Sequence, residues 1–570
     1  MQQAKKLLKK ATATPKNRWI SLLVFLVLCS LVIGGISYWN VTKKSIIKNE
    51  IDNSLEKKTK GLYVINYDKF NLDEVAGSLN VSNIHLVFDS LVYKDFLDRK
   101  EAPSILVDIR IPTLNVWGVQ TPRALIDKEV VGQRVEIINP LIEIIYTGMN
   151  KDSAPQIPPQ QLFRQLLANL NKILVKEIVV SNALIFTHQW NNPDSIITAR
   201  DVSLRLADFA LEDKSPGDSA RFLFSKEIML TAGKIDWMND RKLYRYEANN
   251  MEMSSKDKTI LCGKLSIDPL LGEEAFANKV KTQVDRIDLV LDRLQVRNLD
   301  FMKLFHGVVE ADSLLISKAA LKVYKDFGQP RDHVNRVGTF PHQMLMKLPI
   351  SINIRKAVVS NGFVEYKQYT PKTGQKGKVQ FYAVSAVINN ITNQPAAIRS
   401  NNICRADTRS IFMNSARVKA TFFFNLASNN GSFTIDGHIG GLDAKRLNSI
   451  SQPLASAKIV KGTINGVDLH IKGSDYKGEA EITFLYNHLK IAVLEKNEED
   501  GTLDKKKLVS MAANILIKNS NPGNNEKVRI GNGTFERDTN RSFFNLVWKT
   551  TFVALSETLG VPVKDKSKKL

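Results

Sequence analysis

Cysteine is scarce in this chain: three residues in 570, at Cys29, Cys262 and Cys404. That scarcity excludes a disulfide framework as the means of holding so long a chain together. Whether Cys262 and Cys404 pair stays open at this level. Histidine is also thin, with eight residues and none at a metal-ligand spacing. His333 and His342 flank "VNRVGTFP" with no ligand pattern around them. No GxSxG, Walker loop or GxGxxG fingerprint precedes a helix. "GHIGG" at Gly437–Gly441 reads as a turn, and Glu498, Glu499 and Asp500 read as a solvated loop. The expectation is therefore no catalytic residue, no metal and no cofactor: not an enzyme. A glycan-cleaving cleft built from two distant carboxylates is the catalytic alternative left open.

Long apolar runs are missing too, with one exception. Trp19–Trp39, "WISLLVFLVLCSLVIGGISYW", has 21 residues and no charge, enough to span roughly 30 Å of hydrocarbon as a helix. Tryptophans at both ends suit the two interfaces. A cleaved signal peptide would carry a shorter apolar region of about 7–15 residues before small residues, so the run reads as an uncleaved anchor. Met1–Arg18 holds six Lys/Arg and no acid, which keeps that tail cytoplasmic and sends the rest across. The formal charge of +22 fits a solvated surface or attraction to anionic lipid. No recognition motif accompanies it, so nucleic acid is not an expected partner.

Helical periodicity is rare. "PPQQLFRQLLANLNKIL" places Leu162, Phe163, Leu166, Leu167 and Leu170 on one stripe after a Pro start. Ser542–Leu559 carries Phe544, Val547, Trp548, Phe552, Leu555 and Leu559 on one side, either as an end cap or as an amphipathic element touching a membrane or partner. What fills the chain instead is period-two alternation, the mark of strands with one apolar face. Ile105, Val107, Ile109 and Ile111 share a face; so do Val202, Leu204 and Leu206, and Val418, Ala420, Phe422, Phe424 and Leu426. Ala480, Ile482 and Phe484 point inward, then Leu489, Ile491 and Val493. Hydrophobic content of 43% belongs to a folded, mostly β protein.

One word recurs. "VVSN" stands at Val179–Asn182 and at Val358–Asn361, and "VSN" at Val81–Asn83. The flanks align as strand, Ser-Asn turn and strand, with looser copies in "SLLISKAALKVYKD", "EIMLTAGKIDWMND" and "VRIGNGTFERD". Asn and Gly accept positive φ, so the word marks a sharp bend. The next alternating strand follows at a regular distance, at Ile105, Val202 and Val384, the signature of a repeated supersecondary unit. "YAVSAVINNIT" is then the counterpart of "DVSLRLADF".

This order of parts resembles the AsmA-like family of membrane-anchored bacterial envelope proteins: basic tail, single anchor, repeated strand–turn–strand units. A C-terminal segment then runs "FTIDGHIGGLDAKRLNSI", "IVKGTINGVDLHIKG" and "YKGEAEITFLYNHLKIAVLEK". The expected fold is a transmembrane helix followed by an elongated, repeated antiparallel sheet curled into a groove, with a few short helices and a C-terminal amphipathic helix. Its expected segments are a cytoplasmic tail (1–18), the anchor (19–39), a first β-groove unit (40–155) and middle units opening with a helix (156–345). A repeated β unit (346–410), the AsmA-like region (411–540) and the helix with its basic tail (541–570) complete the chain. The resemblance implies an inner-membrane protein, its bulk periplasmic, that binds or conducts lipid and supports outer-membrane biogenesis or lipid homeostasis. By it, Ile105, Val107, Ile109, Ile111, Val202, Leu204, Leu206, Val418, Phe422, Phe424, Ile482 and Phe484 are candidate groove lining, and Trp19 and Trp39 anchor residues. Its partners would be membrane lipids and outer-membrane or envelope proteins; the alternative is a non-catalytic scaffold.

Overall fold

Alternation of this kind commits a segment to strand, and among its described residues the computed structural model has 23 strands, mostly antiparallel, in a mixed sheet with a few short helices. The structure describes residues 59–73, 75–119, 129–147, 171–212, 221–239, 241–496, 503–505 and 518–561. The anchor expected at Trp19–Trp39 and the helical stripe Leu162–Leu170 lie outside them. Among the described residues no helix is long and apolar enough to cross a membrane. Lys172–Leu174, which end the helical-looking stretch, already belong to a strand.

The chain divides into two compact units: residues 1–265 with 295–307, and residues 266–294 with 308–570. In the first unit, β1 (Tyr63–Asn66) and β2 (Lys69–Asp73) both pair with β3 (Ser78–Phe88). Next come α1 (Ser90–Asp98) and β4 (Ile105–Trp117). β5 (Glu129–Ile138) and β6 (Leu141–Tyr146) are two halves of one rung, antiparallel to β4 and parallel to β7 (Lys172–Gln189). β8 (Asn192–Leu211), β9 (Glu227–Met238) and β10 (Tyr244–Ser254) continue antiparallel. β11 (Thr259–Pro269) follows; α2 (Glu273–Val280) and most of β12 (Arg286–Arg297), next in the chain, belong to the second unit, and α3 (Phe301–Phe305) to the first.

In the second unit, β13 (Val308–Asp326) lies parallel to β14 (Ser351–Thr370), with α4 (Pro341–Met346) in the connection. β15 (Gln375–Thr392), α5 (Pro395–Ser400), β16 (Ile403–Phe412), β17 (Ala416–Asn425), β18 (Phe433–Ile439), β19 (Leu442–Asp443), α6 (Asn448–Ala455), β20 (Ala457–Gly473) and β21 (Lys477–Lys496) come next. β22 (Leu503–Lys505) and β23 (Ile530–Glu536) both pair with β21, and α7 (Phe543–Thr558) closes the described chain. The expected C-terminal helix is thus present. The two parallel pairs were not visible in the sequence, because period two is the same for parallel and antiparallel neighbours.

"VVSN" proves to be a crease inside one long strand, not a turn between two. Asn182 and Asn361 hold φ of 55° and 52° in the middle of β7 and β14, and the pairing register shifts there in each. One residue is inserted, so the strand bends and its alternation changes phase, as a β-bulge does. Val180 and Ala183 are accordingly both buried although three apart. The creases line up across the first unit. Asn83 and Pro112 are bracketed by the same pairs, then Asn139, Asn182, Asp201, Gly233 and Asn250. Asn83, Asn139, Asp201 and Asn250 hold φ of 53°, 53°, 54° and 51°. A Cβ at Gly233 would fall 2.8 Å from Asp201 Oδ2, so a side chain there would displace that of Asp201.

The second unit repeats the motif. Lys318, Asn361 and Ala383 hold φ of 48°, 52° and 48° on β13, β14 and β15. Ile138 faces Ser181 and Ser317 faces Ser360, the same offset in both parallel pairs. Val202 and Val384 each follow a left-handed residue and pair next to the creased Asn. The copy at Val528–Asp538 has no left-handed residue among those described. "GHIGG" is likewise not a turn: Gly437 and His438 are in β18.

Candidate functional site

Strand pairing in the second unit stacks its apolar residues into transverse rows. One runs Leu314, Ala357, Ile388, Ala406, Phe422, Ile435, Ile471, Ala480 from β13 to β21. A neighbouring row runs Ile316, Val359, Ala386, Thr408, Ala420, Gly437, Leu469, Ile482 by the same pairings. Beyond the crease a third runs Leu321, Val364, Phe381, Phe412, Ala416. These rows share one face because the side-chain period of a strand is two.

Coverage of that face changes along the rows. On β20 and β21 it is closed: Ile471, Ala480 and Ile482 are buried. α7 packs on β20, β21 and β23. It presents small residues, Thr550, Ala554 and Thr558, to Gly478, Gly531 and Gly533. A Cβ at Gly533 would come within 2.6 Å of the Ala554 nitrogen, so the close approach requires glycine. Thr550 and Ser556 can be buried here because their hydroxyls donate to the carbonyls of Leu546 and Phe552, at 2.9 and 2.8 Å.

The start of α7 is pinned by aromatic and ionic contacts. Phe543 meets Phe433, Phe340 and Phe424, with ring centroids 4.8, 5.1 and 5.9 Å apart. Arg537 and Asp475 form a fully buried ion pair at 3.0 Å, and Asp475 also accepts from Gln343 at 2.6 Å. The Arg537 guanidinium lies 4.4 Å from the Phe340 ring centre. His342 stacks on Phe424 at 5.1 Å. Neither of its ring nitrogens has a hydrogen-bond partner, and burial pushes its pKa down to about 4 despite the opposing charge of Asp475.

Toward β13 the covering thins, although Ala357, Ala406 and Ala416 of the same rows are buried. Leu314, Ile316, Leu321, Val323, Val359, Val364, Phe381, Ala386 and Ile388 are only half-buried. Tyr366, half-exposed on the same face, nevertheless has its phenol pushed up, by burial first and by Asp285 second. α6 meets this face at Gly377, against Pro453 and Leu454. Cys404 on β16 is buried and free, and burial lifts its thiol to about 11; Cys262 is free as well. The opposite face is polar on β16–β20, whereas on β13–β15 it carries the row Leu315, Val358 and Val387. Arg405 pairs with Asp407 at 2.8 Å, and His438 with Asp468 at 2.6 Å. His470 pairs with Asp436. Chemically, the arrangement offers a half-covered apolar strip that runs on into strands whose other face is charged.

The residues nominated from sequence fall into two groups. Ile109, Ile111, Val202, Leu204 and Leu206 are buried together in one core cluster of the first unit, with Ile105 and Val107 packed against it. Ile482 and Phe484 are buried in the second unit's cluster, with Phe422 and Phe424 packed against it and Val418 half-buried opposite Ile439. Trp19 and Trp39 lie outside the described residues. The half-covered residues of β13–β15 were passed over in sequence. The pattern there is weaker than at Val202–Leu206: Leu314–Ile316, Val358–Val359 and Ala386–Ile388 are apolar at consecutive positions, so period two does not single out one face. No family model and no curated protein sequence matches the chain.

Proposed function

We propose that the chain is a non-catalytic lipid-binding protein of AsmA-like kind. Its β13–β17 face would shelter acyl chains, and its N-terminal apolar segment would anchor it in the cytoplasmic membrane with the sheet in the periplasm. The observation that carries this reading is the strip from Leu314 to Phe381, apolar and half-covered across adjacent strands. Transfer of an acyl chain from water onto such a surface is favourable by about 0.8 kcal/mol per methylene. Rows made mainly of Ile, Leu, Val and Phe, with Thr408 and Tyr366 as the polar side chains among them, leave an acyl chain free to move along them. The AsmA-like resemblance and the run Trp19–Trp39 support the location. A photoreactive side chain at Val364 should capture lipid in cells; capture only of protein would favour a scaffold role.

A further inference from the structure

α7 buries Phe543 and Leu546 at its start, but also carries large aromatic residues on its outer side. Its sheet-facing side carries Thr550, Ala554 and Thr558, seated against glycines, while large aromatic residues point outward. Phe544, Trp548 and Phe552 are 71%, 48% and 45% exposed. Their spacing of four residues puts them on one stripe, and the Trp548 and Phe552 rings lie 6.3 Å apart. Packing on the sheet therefore does not account for these three residues. Lys549 stands exposed beside Trp548, and the residues after the helix add Lys564, Lys566, Lys568 and Lys569 against the single acid Asp565. Glu557, the acid in the last turn of the helix, accepts from the Asn532 backbone N–H.

From this combination we infer that the outer stripe of α7 docks on an anionic membrane surface. Aromatic side chains next to lysines are the composition that settles at the headgroup level, where rings enter the acyl boundary and ammonium groups meet lipid phosphates. The charge selects anionic lipid over neutral lipid. A protein groove would also accept an aromatic stripe, but the run of lysines matches a phosphate-rich surface. This contact is separate from the proposed acyl-sheltering face on β13–β17 and does not depend on it.

The full chain, reconstituted in neutral phosphatidylcholine nanodiscs, can be mixed with free liposomes and floated. With liposomes containing phosphatidylglycerol, the nanodiscs should float. Capture should fall about tenfold or more with pure phosphatidylcholine or at high salt. The variant Phe544→Ser/Trp548→Ser/Phe552→Ser should lose capture to a similar extent with an unchanged melting temperature, and Phe544→Ser alone should lose part of it. Val364→Asp should leave capture unchanged. Equal flotation of wild type and the triple variant overturns the inference. So does a wild-type chain that ignores both kinds of liposome, which would point to a protein occupant.

Discussion

Leu79, Val116, Val135, Ile178, Leu206 and Ile228 form one cross-strand row of the first unit, and every member is buried. Ile316, Val359, Ala386, Thr408 and Ala420 form a comparable row of the second unit, and every member is half-exposed. Both rows come from alternating strands of similar composition. The difference lies in what reaches them. In the first unit Phe222, Leu223, Phe224, Tyr67 and Phe70 pack against the cluster that holds the row. In the second, α7 with Phe340 and Phe543 closes the β18–β23 end, and α6 reaches the face at the start of β15. Alternation thus specifies which face is apolar; coverage is decided by other segments, and an apolar face left half-covered is available for a ligand.

The contrast can be broken most severely with a charge. Leu206→Asp places a carboxylate in a fully buried site, which costs several kcal/mol, and should abolish the cooperative melt of the first unit. Val364→Asp sits on a half-exposed site and should change stability by less than about 1 kcal/mol. Comparable losses in circular-dichroism melts would show that the second face is ordinary core.

A smaller effect separates the covered from the uncovered end of the second unit. His342 has a folded-state pKa of about 4, below the ordinary value of 6.5. Above that ordinary value both states are neutral and the group adds no pH dependence. As pH falls below about 6.5 the unfolded chain takes up the proton first, so stability declines until about pH 4, in total by on the order of 3 kcal/mol. His342→Phe should remove that part of the acid sensitivity in urea titrations at pH 7 and pH 4.5. An unchanged slope would mean that the imidazole is solvated when folded.

The smallest effect concerns the creases. Asn182→Val and Asn361→Val force a β-branched residue into left-handed backbone, at about 1–2 kcal/mol each. Asn→Gly at either site should be close to neutral. Similar losses at the two positions would support one structural role for the repeated word, whereas a harmless Asn361→Val would separate them.

Much of the fold was legible in the residues. Alternation located β4, β8, β17 and β21, and the apolar stripe located α7. The repeated word led to the crease, yet its nature was misread, since an Asn in left-handed backbone serves a bulge as well as a turn. The clue was the spacing of three between Val180 and Ala183, which breaks strict alternation. Leu106 shows a second limit. It lies with Asp108 and Arg110 on the side of β4 opposite Ile105 and Ile109, but Tyr93 and Phe96 of α1 bury it, and one strand's pattern cannot announce a helix on its other face. The half-covered strip escaped for the same reason, because its neighbours are set by segments far away in the chain.

The central claim is that lipid occupies the uncovered part of the second unit's apolar face. Benzoylphenylalanine placed at Leu321 or Val364, on that face, and at Arg409, on the charged face, tests it most directly after irradiation of intact cells. Lipid adducts, read by mass spectrometry of the excised peptide, should form at the first two positions and be absent at Arg409. Equal adducts at all three positions, or none at Leu321 and Val364, would contradict it.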